Sequence, residues 1–201
     1  MRELVHPVYT LPGVPGRGVM KLQWGMVIDL RRCVGCHACT VACQIENGLE
    51  LQERWNKVFK VGPEGHFPYL TYYNFTAACM HCQEAPCVEG CPTGASRRED
   101  NGIVVVDETR CIGCKFCVLV CPYEARRFDH KRGVVRKCTL CIERLNNGQL
   151  PRCVETCQLK ARHVGDLDDP EGEVVQLIRR ENAQPLFPHL GTKPSVYYIV
   201  P

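Results

Sequence analysis

Apolar residues come in short bursts along this chain, separated by polar and cysteine-rich loops. The longest unbroken apolar stretches run to about six residues, such as Phe116-Cys117-Val118-Leu119-Val120-Cys121. A bilayer span needs about twenty, so no direct membrane span is predicted. The bursts also repeat. Val27-Ile28-Asp29 precedes Cys33 at the offset at which Val105-Val106-Asp107 precedes Cys111. Arg32-Cys33-Val34-Gly35-Cys36 matches Arg110-Cys111-Ile112-Gly113-Cys114. Cys91, Cys121 and Cys157 each lead through three residues to an alanine, Ala95, Ala125 and Ala161. The pattern predicts a repeating unit: a short strand, a tight cysteine-lined loop, then a short helix begun by the last cysteine. Asn101-Gly102 reads as a turn before a strand over Ile103 to Val106.

The two ends read differently. Residues 1–21 hold Pro7, Pro12, Gly13, Pro15, Gly16 and Gly18, which predicts an extended arm. Residues 184–201 carry Pro185, Pro188, Pro194 and Pro201, so no useful helix fits there. That tail is expected to run extended across a surface.

Composition narrows the class. Of 201 residues, 45% are hydrophobic and 23% charged, which describes a globular chain. With 17 Gly and 14 Pro, turns should be plentiful and long helices few. A net charge of +3 is too small for a nucleic-acid footprint, so no nucleic-acid partner is expected. The N-terminus has neither an apolar core of signal-peptide length nor a twin arginine. Export, if it occurs, is expected to depend on a signal carried by another chain.

The 16 cysteines fall into four groups of four, with none left over. Group one is Cys33, Cys36, Cys39 and Cys43, spaced C-x2-C-x2-C-x3-C. Group two is Cys79, Cys82, Cys87 and Cys91, with a C-x2-C-x4-C-x3-C spacing. Group three is Cys111, Cys114, Cys117 and Cys121, with the group-one spacing and Pro122 after it. Group four is Cys138, Cys141, Cys153 and Cys157, spaced C-x2-C-x11-C-x3-C. Three thiolates within seven residues can wrap one compact inorganic core. The fourth is then placed to bind a different core, as in bacterial two-cluster ferredoxins. Sixteen thiolates give four [4Fe-4S] clusters.

Other readings fit less well. Structural zinc usually takes two separated C-x2-C knuckles. Disulfide frameworks belong to short secreted chains. Cys33-Val34-Gly35-Cys36-His37 is formally a haem-attachment match, but using it would strand Cys39.

Groups two and three have the length and layout of a small two-cluster ferredoxin. The crossover rule then assigns Cys79, Cys82, Cys87 and Cys121 to one cluster, and Cys91, Cys111, Cys114 and Cys117 to the next. Groups one and four pair by elimination. Cys33, Cys36, Cys39 and Cys157 form a third set; Cys43, Cys138, Cys141 and Cys153 form the fourth. The rival pairing, one with two and three with four, keeps contacts more local. Nesting is preferred because the central pair has the ferredoxin layout unaided. The expected fold is α+β: two nested bacterial-ferredoxin-like units with irregular loops and extended terminal arms. Residues 76–121 form the inner unit, 22–75 and 122–183 the outer one, and 1–21 and 184–201 the arms.

An oxidised cluster with four thiolates carries 2−, so four of them would make this basic chain an anion. Arg31, Arg32, Arg110, Lys115 and Arg126 are candidates to offset that charge, against the alternative of solvated surface charges.

With these groups in view, the chain resembles the four-cluster iron–sulfur subunit of membrane-associated molybdopterin oxidoreductases, such as dimethyl sulfoxide reductase and polysulfide reductase. The matching segments include Met26-Val27-Ile28-Asp29, Cys87-Val88-Glu89-Gly90-Cys91-Pro92-Thr93-Gly94-Ala95 and Cys121-Pro122-Tyr123-Glu124-Ala125-Arg126. Lys137-Cys138-Thr139-Leu140-Cys141, Pro151-Arg152-Cys153-Val154-Glu155-Thr156-Cys157 and Lys193-Pro194-Ser195-Val196-Tyr197-Tyr198 match as well. The resemblance runs from about Leu22 to the C-terminus. It implies electron transfer between a molybdenum or tungsten catalytic subunit and a membrane anchor subunit that exchanges electrons with quinone. It also supports the nested pairing. In some relatives, such as the nitrate reductase iron–sulfur subunit, a tryptophan stands where this chain has Cys114, and that cluster has three irons. Cys114 therefore implies four.

The sequence carries no phosphate-binding glycine fingerprint, no H-E-x-x-H and no nucleophile elbow. With every cysteine assigned, no iron keeps an open site, so a wire rather than a catalyst is expected. The alternative is a stand-alone soluble polyferredoxin; the long terminal arms favour a subunit. Relatives are often exported folded beside a signal-bearing partner, and others stay on the cytoplasmic face. The expected location is at a membrane, through partners.

Overall fold

The computed structural model describes residues 22–201, and the expected arm at 1–21 lies outside them. In chain order the first elements are β1 (Trp24–Asp29), α1 (Ala38–Glu46), β2 (Lys57–His66), β3 (Tyr69–Ala77) and α2 (Pro86–Glu89). Then come β4 (Ser96–Arg98), β5 (Val104–Val106), α3 (Phe116–Leu119), β6 (Arg126–Asp129) and β7 (Val134–Lys137). The last are α4 (Ile142–Asn146), α5 (Arg152–Glu155), β8 (Arg162–Asp166), α6 (Glu173–Glu181), β9 (Gln184–Pro185) and β10 (Val196–Ile199). The mixed content agrees with the expected α+β class.

β1 reads Trp-Gly-Met-Val-Ile-Asp, and alternate residues of a strand point to opposite faces. Val27 packs on one side with Val174, Leu177 and Ile199. Met26 and Ile28 pack on the other, with Leu30, Met80 and Leu140. A strand buried on both faces must also pair both edges, because unpaired buried backbone groups are costly. β8 takes one edge, antiparallel, with Ile28 opposite Arg162. β10 takes the other, parallel, with Met26 opposite Val196. The sheet order is β8-β1-β10-β9. α6 covers one face through Val174, Leu177 and Ile178, at helical i, i+3, i+4 spacing.

Two expectations are corrected here. The proline-rich tail forms no α-helix and is exposed over residues 187–191, but its last strand does not lie on a surface: Val196, Tyr198 and Ile199 are buried. The open edge of β1 draws those residues into the sheet. Nor does the last cysteine of each group begin a helix. The helix lies before it: α2, α3 and α5 carry Cys87, Cys117 and Cys153, and end just before Cys91, Cys121 and Cys157. The three-residue gap is itself about one helical turn. Proline at positions 92 and 122 then stops the helix from continuing.

The sequence repeat is legible in the backbone. His37 and Lys115 hold φ of 60° and 63° at the same place before α1 and α3. Gly94, Glu124 and Lys160, each three residues past a fourth cysteine, hold φ of 65°, 49° and 48°. The expected Asn101-Gly102 turn joins the β4–β5 hairpin, with the Gly102 N–H donating to the Glu99 carbonyl at 2.9 Å. A second small hairpin pairs β6 with β7. The longer β2–β3 hairpin was not anticipated. Its base joins the core, where Phe75 stacks on Tyr198 at 5.0 Å.

Candidate metal centres

All sixteen cysteines are free thiols. Most are half-buried, Cys43 and Cys117 are buried, and Cys36 and Cys114 are exposed. The loops that present Cys36 and Cys114 each turn on a glycine. Gly35 and Gly113 hold φ of +68° and +69°, and a Cβ at either would strike a neighbour, the Asn74 side chain or the Gly133 carbonyl.

The thiols gather in neighbourhoods drawn from two groups each. Burial pushes the Cys43 thiol well up, and the thiols of Cys138, Cys153 and Cys141 push it further. Burial lifts Cys82 to about 12, with Cys79, Cys87 and Cys121 adding to it against a hydrogen bond to Thr192. Cys33 is raised by burial first, then by Cys39 and Cys157. Cys117 is raised by burial, and Cys111 and Cys114 act in the same direction. One cavity is lined by Cys43, Cys79, Cys138, Cys141 and Cys153, and another by Cys91, Cys111, Cys114 and Cys117. Group one therefore meets group four, and group two meets group three. Among the described residues, no three such donors converge at single-ion distance; they bound cavities instead.

The donor set fits an iron–sulfur cluster on three counts. Crowded buried thiols resist ionising, and a cationic core between them makes thiolate the stable form. Backbone amides already point at sulfur: the N–H groups of Ser96, Ala161, Val135 and Leu140 donate to Cys91, Cys157, Cys111 and Cys138 at 3.3–3.4 Å. Finally, buried donors lack acceptors. His81 accepts from the Val104 N–H at Nδ1, 3.1 Å, so its proton sits on Nε2, and that atom has no partner among the described residues. Burial, with Lys137 and Arg126 nearby, holds His81 neutral by pushing its pKa well below the ordinary value. One guanidinium nitrogen of Arg126 is likewise unpartnered. Buried N–H groups left without acceptors are rare in folded proteins.

Of the five basic residues expected to offset charge, only Arg126 is buried, at 1% exposure. Arg31 and Arg110 form exposed ion pairs with Asp29 and Glu181, and with Asp107. Lys115 sits over the Phe128 ring, 4.1 Å from its centroid, and Arg32 is exposed. Sequence reasoning passed over Arg162 and Lys137, at 5% and 2% exposure. Burial works against the charge of Arg162, but the thiols of Cys153 and Cys39 outweigh it and raise its pKa. Arg126 is raised the same way, by Cys87, Cys79 and Cys117 against burial. A signal was available: Arg126 and Arg162 each directly follow the alanine of the Cys-x-x-x-Ala repeat.

Residues 70–167 and residues 32–95 each match a 4Fe-4S dicluster domain family. The chain is 42% identical to a sulfite dehydrogenase subunit of Allochromatium vinosum, over 88% of this chain and 82% of the relative. It is 41% identical to a tetrathionate reductase subunit of Salmonella typhimurium, over 90% of this chain and 74% of the relative. It is 38% identical to a putative dimethyl sulfoxide reductase iron-sulfur subunit of Halobacterium salinarum, over 88% and 79%.

Proposed function

The chain belongs to the iron–sulfur subunit family of the molybdopterin oxidoreductases, and on that premise we propose that it carries single electrons through four [4Fe-4S] clusters. The four sets are Cys33, Cys36, Cys39 and Cys157; Cys43, Cys138, Cys141 and Cys153; Cys79, Cys82, Cys87 and Cys121; and Cys91, Cys111, Cys114 and Cys117. Residues 76–121 are the inner ferredoxin-like unit, and 22–75 with 122–183 the outer one. When bound, each cluster supplies a one-electron couple. The protein's own residues hold, insulate and tune it.

One observation carries this reading. Arg126 and Arg162 are buried against thiols and pair with no carboxylate among the described residues. Buried charge needs a compensating partner, and an anionic thiolate-bound cluster is the partner at hand.

The electron enters from or leaves to a molybdopterin catalytic subunit at one end, and a quinone-reactive membrane subunit at the other. Among the described residues no helix is long and apolar enough to cross a membrane; the anchor is assigned to the partner. Exposed apolar residues flank the exposed thiols, Val34 at 64% beside the Cys36 loop and Ile112 at 66% beside Cys114. Such apolar rims favour docking partners over a free-diffusing carrier.

The test is anaerobic purification with iron and sulfide analysis and EPR. About sixteen irons per chain are expected, with signals on dithionite reduction and a catalytic subunit copurifying. Colourless protein with about four zinc ions would overturn the scheme.

A further inference from the structure

Three buried cations divide the sixteen thiols. Arg162, at the start of β8, donates to Thr76 Oγ1 at 2.8 Å and Asn56 Oδ1 at 3.0 Å. The same guanidinium reaches Cys39 Sγ at 3.8 Å and Cys153 Sγ at 3.9 Å. Those two cysteines belong to different sets. Arg126 occupies the equivalent place in the repeat, at the start of β6. It donates to Cys87 Sγ at 2.9 Å and Ser96 Oγ at 2.7 Å. It also lines the cavity bounded by Cys91, Cys111, Cys114 and Cys117, so it too stands between two sets. Lys137 ends β7, and its ammonium donates to the carbonyls of Val104 and Cys138, the latter at 2.8 Å. Val104 in turn donates its N–H to His81, which stands between Cys79 and Cys82 in the chain, so Lys137 is tied to both sets, that of Cys138 and that of Cys79. Cys79 and Cys138 line one cavity, so these two sets also adjoin.

None of the three pairs with a carboxylate among the described residues, whereas Arg132, Arg144 and Arg152 do so elsewhere on the molecule. The order is then linear. The set with exposed Cys36 meets Arg162; the Cys43 set follows, then Lys137, then the Cys79 set, then Arg126. The set with exposed Cys114 comes last.

We propose that Arg162, Lys137 and Arg126 are junction cations, one in each gap of this line, and that each stabilises an added electron on both clusters beside it. The inference rests on the four-cluster reading above. An unscreened positive charge in a low-dielectric gap favours the more negative, reduced form of either neighbour. Because one cation serves two clusters, it moves both potentials together and keeps an electron from being trapped on one. As an electron crosses a gap, one cluster is oxidised by one electron and the next is reduced by one. No bond forms or breaks, and a guanidinium that does not deprotonate moves no proton. These are positioning residues, acting through the clusters.

EPR-monitored redox titration of the full iron-loaded chain tests this, with Arg126→Gln, Arg162→Gln, their lysine counterparts, and exposed Arg110→Gln as control. Each glutamine variant is expected to lower two of the four potentials. The oxidised-to-reduced ratio at fixed potential should rise about tenfold, which is about 59 mV for one electron. Arg126→Lys and Arg162→Lys should recover most of that shift, and Arg110→Gln should move nothing. Iron-loaded glutamine variants with unchanged potentials, or with only one shifted, would overturn the inference. If a glutamine variant does not load iron, its lysine counterpart decides. Loading with near-normal potentials supports the role of charge, and failure to load assigns a packing role and overturns it. Wild-type protein that loads no iron would instead sink the four-cluster reading itself.

Discussion

Two regions of this molecule, one around Arg126 and one around Arg162, contain the same turn, Cys-x-x-x-Ala-Arg, in different settings. Arg126 rests on two short contacts, Cys87 Sγ and Ser96 Oγ, and one of its nitrogens has no partner among the described residues. Arg162, by contrast, is braced by Asn56 and Thr76 and touches its thiols more loosely. The Arg162 brace comes from residues 55–77, a segment with no counterpart in the compact β4–β5 and β6–β7 hairpins. Both regions nevertheless bury a guanidinium with no carboxylate partner among the described residues. What the two share is the electrostatic demand of the thiol sets; what differs is the scaffold that meets it.

The largest effect should come from removing iron. With the clusters chelated, three buried cations lose their counter-charge at once, and both regions should lose cooperative melting by circular dichroism. A loss confined to the region around Arg162 would show the two to be independent.

Next come the loop glycines. A Cβ at position 113 would strike the Gly133 carbonyl, which is backbone, while one at position 35 would strike the end of the Asn74 side chain. Gly113→Ala should cost about 3 kcal/mol and Gly35→Ala about 1 kcal/mol, read by denaturant unfolding of the loaded protein.

The arginine braces should differ more gently. Ser96→Ala removes the one oxygen partner that Arg126 has among the described residues and should destabilise by about 2 kcal/mol. Thr76→Val leaves Asn56 on Arg162 and should cost about 1 kcal/mol. Equal effects would mean that the Arg162 brace is not redundant.

The smallest effect concerns the equivalent aspartates. Asp29 accepts from the Arg31 side chain, and Asp107 from the Thr109 hydroxyl, and both are held below their ordinary value of 3.8. A depressed carboxyl contributes stability that is complete above its unfolded value and is lost as pH falls through the folded one. Asp29→Asn should therefore flatten the acid side of the stability profile below about pH 4. Asp107→Asn, on an exposed turn, should do so less.

The candidate site was far more legible in the sequence than its surroundings were. The cysteine spacing is a local code, and so are the Asn101-Gly102 turn and the strand that follows it. The sheet is not local: β10 finds β1 across most of the chain, and prolines at 185, 188 and 194 say only that no helix forms there. The buried cations were hidden for a related reason. Arg126 and Arg127 are neighbours on one strand, and the strand's alternation, fixed only by its partner β7, turns the first inward. Lys137 is likewise the inward end of β7, next to a cysteine whose spacing is the stronger signal. Chemistry carried by spacing could be read directly; chemistry carried by burial needed the fold.

β10 also sets the timing of maturation. Between β1 and β9 it is the strand that closes the second edge of β1. That edge stays open until residues 196–199 have left the ribosome, and by then every thiol has emerged. All sixteen thiols are thus outside while the largest sheet of the described residues is still unlatched, and the last strand locks a chain already complete in its sulfur donors.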